Sequence, residues 1–400
     1  MPKISSIFGL LERIESVDIA VNQHRCAVVR NRNAQCMRCV NACTSGCIAM
    51  VDDELVITPD KCIGCGTCAT VCPTCALEAL NPNDEELLLS AAKVLRATQG
   101  EVVFACEQIL SKTKEPLDPE KLIVLPCLGR VEETLLISLV NAGATRFSLV
   151  KANCEKCDYA VGLTTAQAVC DTTNTLLETW NKDVRANIVE ELPAIVFLAE
   201  DKEYDESKRE FFTGLYKGAK STAADIADSA VKTALGEKKE SEEEEPPKPK
   251  YVKVTKEGVL PRFLPTRRRH LLENLIALGE PQDVMIDTRL FGHVMIDLGL
   301  CNSCQMCATF CPTGAISKIP ESDGGFGIIY IPSVCVKCRC CTDICNMKAL
   351  TLSEEIFAID IPTIARERID MKPLDTPKGG EHSFYNAMKG LFGIDEVYER

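Results

Sequence analysis

Cys62-Ile-Gly-Cys65-Gly-Thr-Cys68-Ala-Thr-Val-Cys72-Pro73 carries four thiols separated by two, two and three residues. Three thiolates on so tight a loop can each hold one iron of a four-iron cube, while the fourth turns away and serves the neighbouring cube of a pair. The same spacing returns in Cys301-Asn-Ser-Cys304-Gln-Met-Cys307-Ala-Thr-Phe-Cys311-Pro312 and in Cys335, Cys338, Cys341 and Cys345. A further run, Cys36, Cys39, Cys43 and Cys47, is less regular, with three residues between Cys39 and Cys43. Sixteen of the 24 cysteines therefore fall into four runs, which read as two pairs and predict four 4Fe–4S clusters.

The sharing rule predicts which thiolates meet. One cluster takes Cys36, Cys39, Cys43 and Cys72, and its neighbour takes Cys62, Cys65, Cys68 and Cys47. Cys301, Cys304, Cys307 and Cys345 share a third cube, with Cys335, Cys338, Cys341 and Cys311 around a fourth. Structural zinc has no use for the third closely spaced Cys. Disulfides need an oxidising compartment and usually a short secreted chain. The opening MPKISSIFGLLERIESVD has too brief an apolar run for a signal peptide.

Length and composition set the frame. A chain of 400 residues with 46% hydrophobic residues fits several globular domains. No apolar stretch approaches the ~18 residues of a membrane span. A formal charge of −13 disfavours nucleic acid, which demands a basic footprint. Cysteine-rich and acidic, the chain is expected in a reducing cytoplasm, in anaerobic metabolism.

Two similar units bracket a different middle. Residues 1–82 form a two-cluster unit with a hairpin over Met50–Ile57 and a short helix expected over Pro73–Leu80. Residues 261–360 repeat the plan, with a turn and strand over Asp323–Ile331, a closing helix from Cys345 and a tail over 361–400. Between them, residues 83–200 alternate helices (85–98, 131–140, 159–180) with apolar strands (102–106, 121–127, 146–150 and 194–198). The fold class is therefore two α+β ferredoxin-like units flanking a small α/β domain with a parallel sheet. Residues 201–260 read as a helix to about Leu235 and then a charged Glu/Lys/Pro linker.

Cys106 and Cys127 end two of the strands, and Cys154-Glu-Lys-Cys157 follows a third. Strand ends of an open parallel sheet lie side by side, where ligands collect. These four thiols suit a 2Fe–2S cluster; the competing reading is ordinary buried free thiols. Cys170 reads as core, and Cys26, Cys75 and Cys340 fall outside the ligand spacing.

Val124-Leu-Pro-Cys127-Leu-Gly-Arg130-Val-Glu-Glu, Ala142-Gly143-Ala144 and Cys157-Asp-Tyr-Ala-Val-Gly162 resemble the delta subunit of methyl-viologen-reducing hydrogenase over roughly residues 100 to 180. The end units resemble bacterial two-cluster ferredoxins. These resemblances imply a 2Fe–2S cluster in the middle domain. They also imply an iron–sulfur subunit working with formate dehydrogenase first, or with hydrogenase or heterodisulfide reductase-like proteins. An alternative makes the middle-domain cysteines a thiol or redox catalytic site fed by the end units.

Thr266-Arg267-Arg268-Arg269-His270 opens a further helix, with Thr266 as its expected cap and the arginines either docking an acidic partner or simply solvated. His24, His293 and His382 are isolated. No phosphate loop, zinc-protease motif or nucleophile elbow occurs.

Overall fold

The computed structural model describes residues 18–198 and 259–373. The helix and linker expected over 201–260, save residues 259 and 260, and His382 and the end of the chain lie outside these.

The first unit is built from two antiparallel strand pairs. Strand β1 (Ile19–Val21) pairs with β4 (Leu77–Ala79), and β2 (Ile48–Val51) pairs with β3 (Glu54–Ile57) about a turn in which Asp52 and Asp53 take positive φ. Between them lie three short helices, α1 (Ala27–Arg30), α2 (Arg38–Asn41) and α3 (Thr67–Val71). The helix expected over Pro73–Leu80 is instead a turn leading into β4. Ala-Leu-Glu-Ala-Leu favours helix locally, but Leu77 and Ala79 gain a buried place opposite β1, so tertiary packing overrides propensity.

The middle sheet has the order β6–β5–β7–β8, every pair parallel. It comprises β5 (Glu101–Cys106), β6 (Ile123–Leu125), β7 (Arg146–Val150) and β8 (Ala186–Val189). Val102 and Phe104 point to a core closed by α4 (Asp84–Ala97), α6 (Glu133–Asn141) and α7 (Val161–Thr179). Val103 and Ala105 face the opposite side, against α5 (Gln108–Lys112) and Val196. This is the two-residue alternation of a strand buried on both faces. The fourth strand is thus Ala186–Val189. Residues 194–198, read as a strand from sequence, form a 3-10 turn after Pro193 with an isolated bridge from Phe197 to Leu117. Their apolar side chains cover a sheet face rather than extending the sheet.

The last unit repeats the strand pairing of the first. Strand β10 (His293–Ile296) pairs with β13 (Leu350–Ser353), and β11 (Ile316–Lys318) with β12 (Gly327–Tyr330). Helices α9 (Met306–Phe310) and α10 (Cys340–Ile344) carry its thiol runs. No helix follows Cys345; a turn leads into β13. Two additions lie beyond the repeat. Strand β9 (Met285–Asp287) pairs with β14 (Glu355–Phe357), and β15 (Glu367–Asp370), in the segment read as tail, adds a third strand beside β12.

Helix α8 (Thr266–Leu278) joins this unit to the middle domain. Leu271, Leu272, Leu275 and Leu278 pack with Ile137, Leu176, Leu177 and Trp180 on one side and Phe291 and Ile356 on the other. Each such burial stabilises by about 2 kcal/mol as an upper figure. Pro265, not Thr266, occupies the N-cap, and no side chain caps the helix.

Candidate iron–sulfur site

The second and fourth thiol runs are entered by the same local device. A strand ends, a 3-10 turn follows, and a cysteine closes it by donating its N–H back across the turn. Cys62 bonds Pro59 O and Cys335 bonds Pro332 O, both at 3.0 Å, with backbone angles of −72°, 125° and −69°, 128°. The loop then needs two left-handed residues, Gly64 and Gly66, Ser303 and Gln305, or Lys337 and Arg339. Such turns point successive N–H groups into a concavity that favours anionic sulfur. A short helix next carries the third thiol, Cys68 on α3, Cys307 on α9 or Cys341 on α10, and the fourth follows four residues later.

In the first unit the residue at the first position of this device is Cys26. The 3-10 turn Gln23–Arg25 precedes it, its N–H bonds Gln23 O at 3.0 Å, and its angles are −66° and 128°. Nine residues, Ala27–Gln35, are then inserted before Cys36, and α2 carries Cys39 where the other runs carry their third thiol. Cys43 therefore stands where Cys72, Cys311 and Cys345 stand.

The thiols group accordingly. Cys39 lies within electrostatic reach of Cys72, Cys26 and Cys36. Cys43 lies 3.4 Å from Cys47, and both line a cavity of about 340 Å³ with Cys62, Cys65 and Cys68. This differs from the expected sharing, which put Cys43 with Cys36, Cys39 and Cys72 and left Cys26 out. In the last unit Cys304 lies within electrostatic reach of Cys301 and Cys345, and Cys341 within reach of Cys335, Cys338, Cys311 and Cys307.

The chemistry of these groups suits clusters. Burial pushes Cys26 up to about 11, Cys39 and Cys307 up to about 12, and Cys68 and Cys341 well above the usual thiol range. Such thiols ionise only against a strongly cationic partner, and iron bound by thiolate supplies one. Main-chain N–H groups already point at sulfur: Ala76 at Cys72 (3.2 Å), Ile316 at Cys311 (3.4 Å) and Ser303 at Cys301 (3.4 Å). Among the described residues no three His, Cys, Asp or Glu side chains stand close enough to share a single metal ion. The thiols ring wider spaces.

A fifth group sits at the C-terminal edge of the parallel sheet. Cys106 ends β5, Cys127 follows β6, and Cys154 and Cys157 follow β7. All four line one cavity of about 350 Å³ with Tyr159 and Leu163. Ala152 N–H donates to Cys106 at 3.3 Å, Gly129 N–H to Cys127 at 3.4 Å, and Tyr159 N–H and Gln108 Nε2 to Cys157 at 3.4 and 3.2 Å. Burial pushes Cys127 up to about 12. Cys170 lies in the helix–sheet core, as expected.

The basic run on α8 turns inward. Arg267 donates to both oxygens of Asp84 at 2.6 and 2.7 Å and to Ala69 O at 2.7 Å. Asp84 also accepts from buried Arg130 at 2.7 Å. Arg268 lies 4.1 Å above the Phe291 ring and donates to Leu290 O. Only Arg269 and His270 are exposed. Arg289 grips Glu133 through both oxygens. Arg267 thus ties α8 to α3 and α4, and Arg289, between β9 and β10, ties the last unit to α6. His293 bonds Glu367 at 2.7 Å and stands edge-on to Tyr330.

Known proteins match the thiol runs. The 4Fe-4S binding domain family model matches residues 55–78 and 294–317. A ferredoxin of Rickettsia felis is 36% identical over 61 residues, 14% of this chain and 53% of that protein. Ferredoxin-1 of Caulobacter vibrioides is 40% identical over 50 residues, 12% of this chain and 42% of that protein. The chain thus spans about half the length of these two relatives. An uncharacterized ferredoxin of Methanocaldococcus jannaschii is 40% identical over 48 residues, 12% of this chain but 77% of that protein. The matched segments are 4Fe–4S binding units like those of ferredoxins. Its thiol-bearing units place the chain in the ferredoxin family. No helix among the described residues is long and apolar enough to cross a membrane.

Proposed function

We propose that the chain is the iron–sulfur subunit of a larger redox complex, holding four 4Fe–4S clusters and one 2Fe–2S cluster. Support for this reading comes from two thiol-lined pockets, one with Cys43, Cys47, Cys62, Cys65 and Cys68 and one with Cys106, Cys127, Cys154 and Cys157, and from the electrostatic proximity of Cys39 to Cys72, Cys26 and Cys36. Cys26, Cys36, Cys39 and Cys72 would hold the first cube, and Cys43, Cys62, Cys65 and Cys68 the second. Cys301, Cys304, Cys307 and Cys345 would hold the third, and Cys311, Cys335, Cys338 and Cys341 the fourth. Cys106, Cys127, Cys154 and Cys157 would hold the smaller cluster. When bound, these clusters accept and release single electrons, while the protein supplies burial and N–H donors to sulfur.

The partner is expected to be a cytoplasmic oxidoreductase, formate dehydrogenase first, with hydrogenase or heterodisulfide reductase-like proteins next. Support for this comes from the middle-domain motifs that resemble the hydrogenase delta subunit. A thiol catalyst in the middle domain fits less well. A nucleophilic cysteine needs a lowered pKa, and burial drives Cys127 the other way.

Anaerobic purification should yield a brown protein with about eighteen irons per chain and matching acid-labile sulfide, bleached reversibly by dithionite. A colourless chain, or iron that dithionite never reduces, would sink the reading. Cys127→Ser should remove about two irons and the 2Fe–2S absorption while leaving the cubes in place; unchanged iron in that variant would eliminate the fifth site.

A further inference from the structure

We propose that the five thiol groups form one unbranched line of electron-transfer sites crossing both unit boundaries, with buried Arg30 lying between neighbouring sites at one crossing as their shared positive charge. The inference rests on the reading above and adds an order and a positioning residue to it.

The first crossing joins the middle domain to the loop of the second run. Cys127 and Cys65 lie within electrostatic reach of one another. Their contact depends on glycine: a Cβ at Gly162 would stand 2.1 Å from Cys127 Sγ, and one at Gly129 2.5 Å from Thr67 Oγ1. Arg130 closes this seam. It is 1% exposed, its Cδ would lie 2.4 Å from a Cβ on Gly66, between Cys65 and Cys68, and Thr70 bonds its carbonyl. Its Nη2 meets Pro82 O and Asp84, but Nε and Nη1 are buried without a partner.

The second crossing joins the first and last units. Cys36 and Cys338 act on each other electrostatically across it. Arg38 donates to Lys337 O at 3.0 Å, the Gln35 N–H donates to Asp343 at 3.1 Å, and Cys340 is sealed against Ala27 and Ala34. Arg30 is 4% exposed and within reach of Cys338, Cys311 and Cys340. It donates through Nη1 to His24 O and Pro261 O, while Nε and Nη2 are buried and unpartnered. A desolvated guanidinium with two idle donors is costly unless an anion lies beside it. Thiolate-bound clusters are such anions. At Arg130 the Asp84 carboxylate is already such an anion, whereas the charged groups that favour the Arg30 cation are the thiols of Cys340, Cys311 and Cys338.

Within the units Cys68 lies near Cys39, and Cys341 near Cys307, so the line runs unbroken. It starts at half-buried Cys154 and Cys157 and ends at half-buried Cys301 and Cys304. With clusters bound, each passage would be a one-electron exchange, one site oxidised as the next is reduced, with no bond made or broken. A one-electron reducing protein at one end supplies the electron, and a one-electron acceptor at the other takes it.

The test uses the full holoprotein, prepared anaerobically and titrated with dithionite and viologen mediators under electron paramagnetic resonance. Arg30→Met should keep its iron, yet one cube should show a roughly tenfold smaller reduced-to-oxidised ratio at the wild-type midpoint, as loss of a unit charge about 10 Å away would produce. Arg30→Lys should restore most of it. Fully reduced wild type should also show magnetic broadening between the two end units. If Arg30→Met has full iron and unshifted midpoints, the positioning role fails. If Arg30→Met loses its iron, the wild-type broadening decides, and its absence overturns the line. An iron-free wild type would instead overturn the underlying reading.

Discussion

Replacing Cys26 by serine is expected to remove one 4Fe–4S cluster, about four irons per chain, whereas Cys47→Ser should leave the iron count unchanged. In the assignment proposed above, the two residues exchange the roles that spacing alone assigns them. Cys26 ends the 3-10 turn that Cys62 and Cys335 end elsewhere, with backbone angles within ten degrees of theirs, and it faces Cys39 and Cys72. Cys47 lies at the start of β2, one residue before the strand, 3.4 Å from the thiol of Cys43. Cys43→Ser should therefore alter the spectrum of the second run's cluster and spare that of the first. Anaerobic iron and sulfide assays with magnetic resonance of the reduced protein distinguish the outcomes. Full iron in Cys26→Ser together with a lost cluster in Cys47→Ser would restore the simpler assignment.

Why Cys26 escapes a reading of spacing is a matter of chain length. Ligands of one loop are local in sequence, so the second, third and fourth runs are legible as they stand. In the first run, Ala27–Gln35 separates the opening thiol from its partners and breaks the pattern. One signal was present. The interval of three residues from Cys39 to Cys43 equals that from Cys68 to Cys72, from Cys307 to Cys311 and from Cys341 to Cys345. It marks Cys39 as a third thiol, not a second, and sends the search for a first thiol upstream. The parallel sheet and the convergence of Cys106, Cys127, Cys154 and Cys157 were legible because strand ends in such a sheet share an edge. Less legible was anything decided at long range. Arg267 and Arg268 look like a solvated basic patch, and only the packing of α8 on two units shows where their charges are spent.

The fit between those units should fail when Asp84 is changed. Asp84 accepts from Arg267 and Arg130 at 2.6–2.7 Å, and both guanidiniums are largely buried, their side chains 14% and 2% exposed. Asp84→Asn leaves two desolvated cations facing a neutral amide. Breaking a buried pair costs about 3–5 kcal/mol, but the Asp84 side chain is 46% exposed and water softens the loss. A destabilisation of about 2 kcal/mol is expected, read as a lower urea midpoint for loss of the cluster absorption in the anaerobic holoprotein. The pH dependence follows from sign. Although burial alone would raise it, the hydrogen bonds and charge of Arg267, with Arg130 behind them, hold the Asp84 carboxyl well below the usual range. A depressed folded value gives stability that is complete above the unfolded value of about 3.9 and is lost as pH falls through the folded one. The Asp84→Asn penalty should accordingly be the same at about pH 6 and pH 8. A penalty that disappeared over that interval would mean that a different titrating group, and not this carboxylate, holds α8 against α3 and α4.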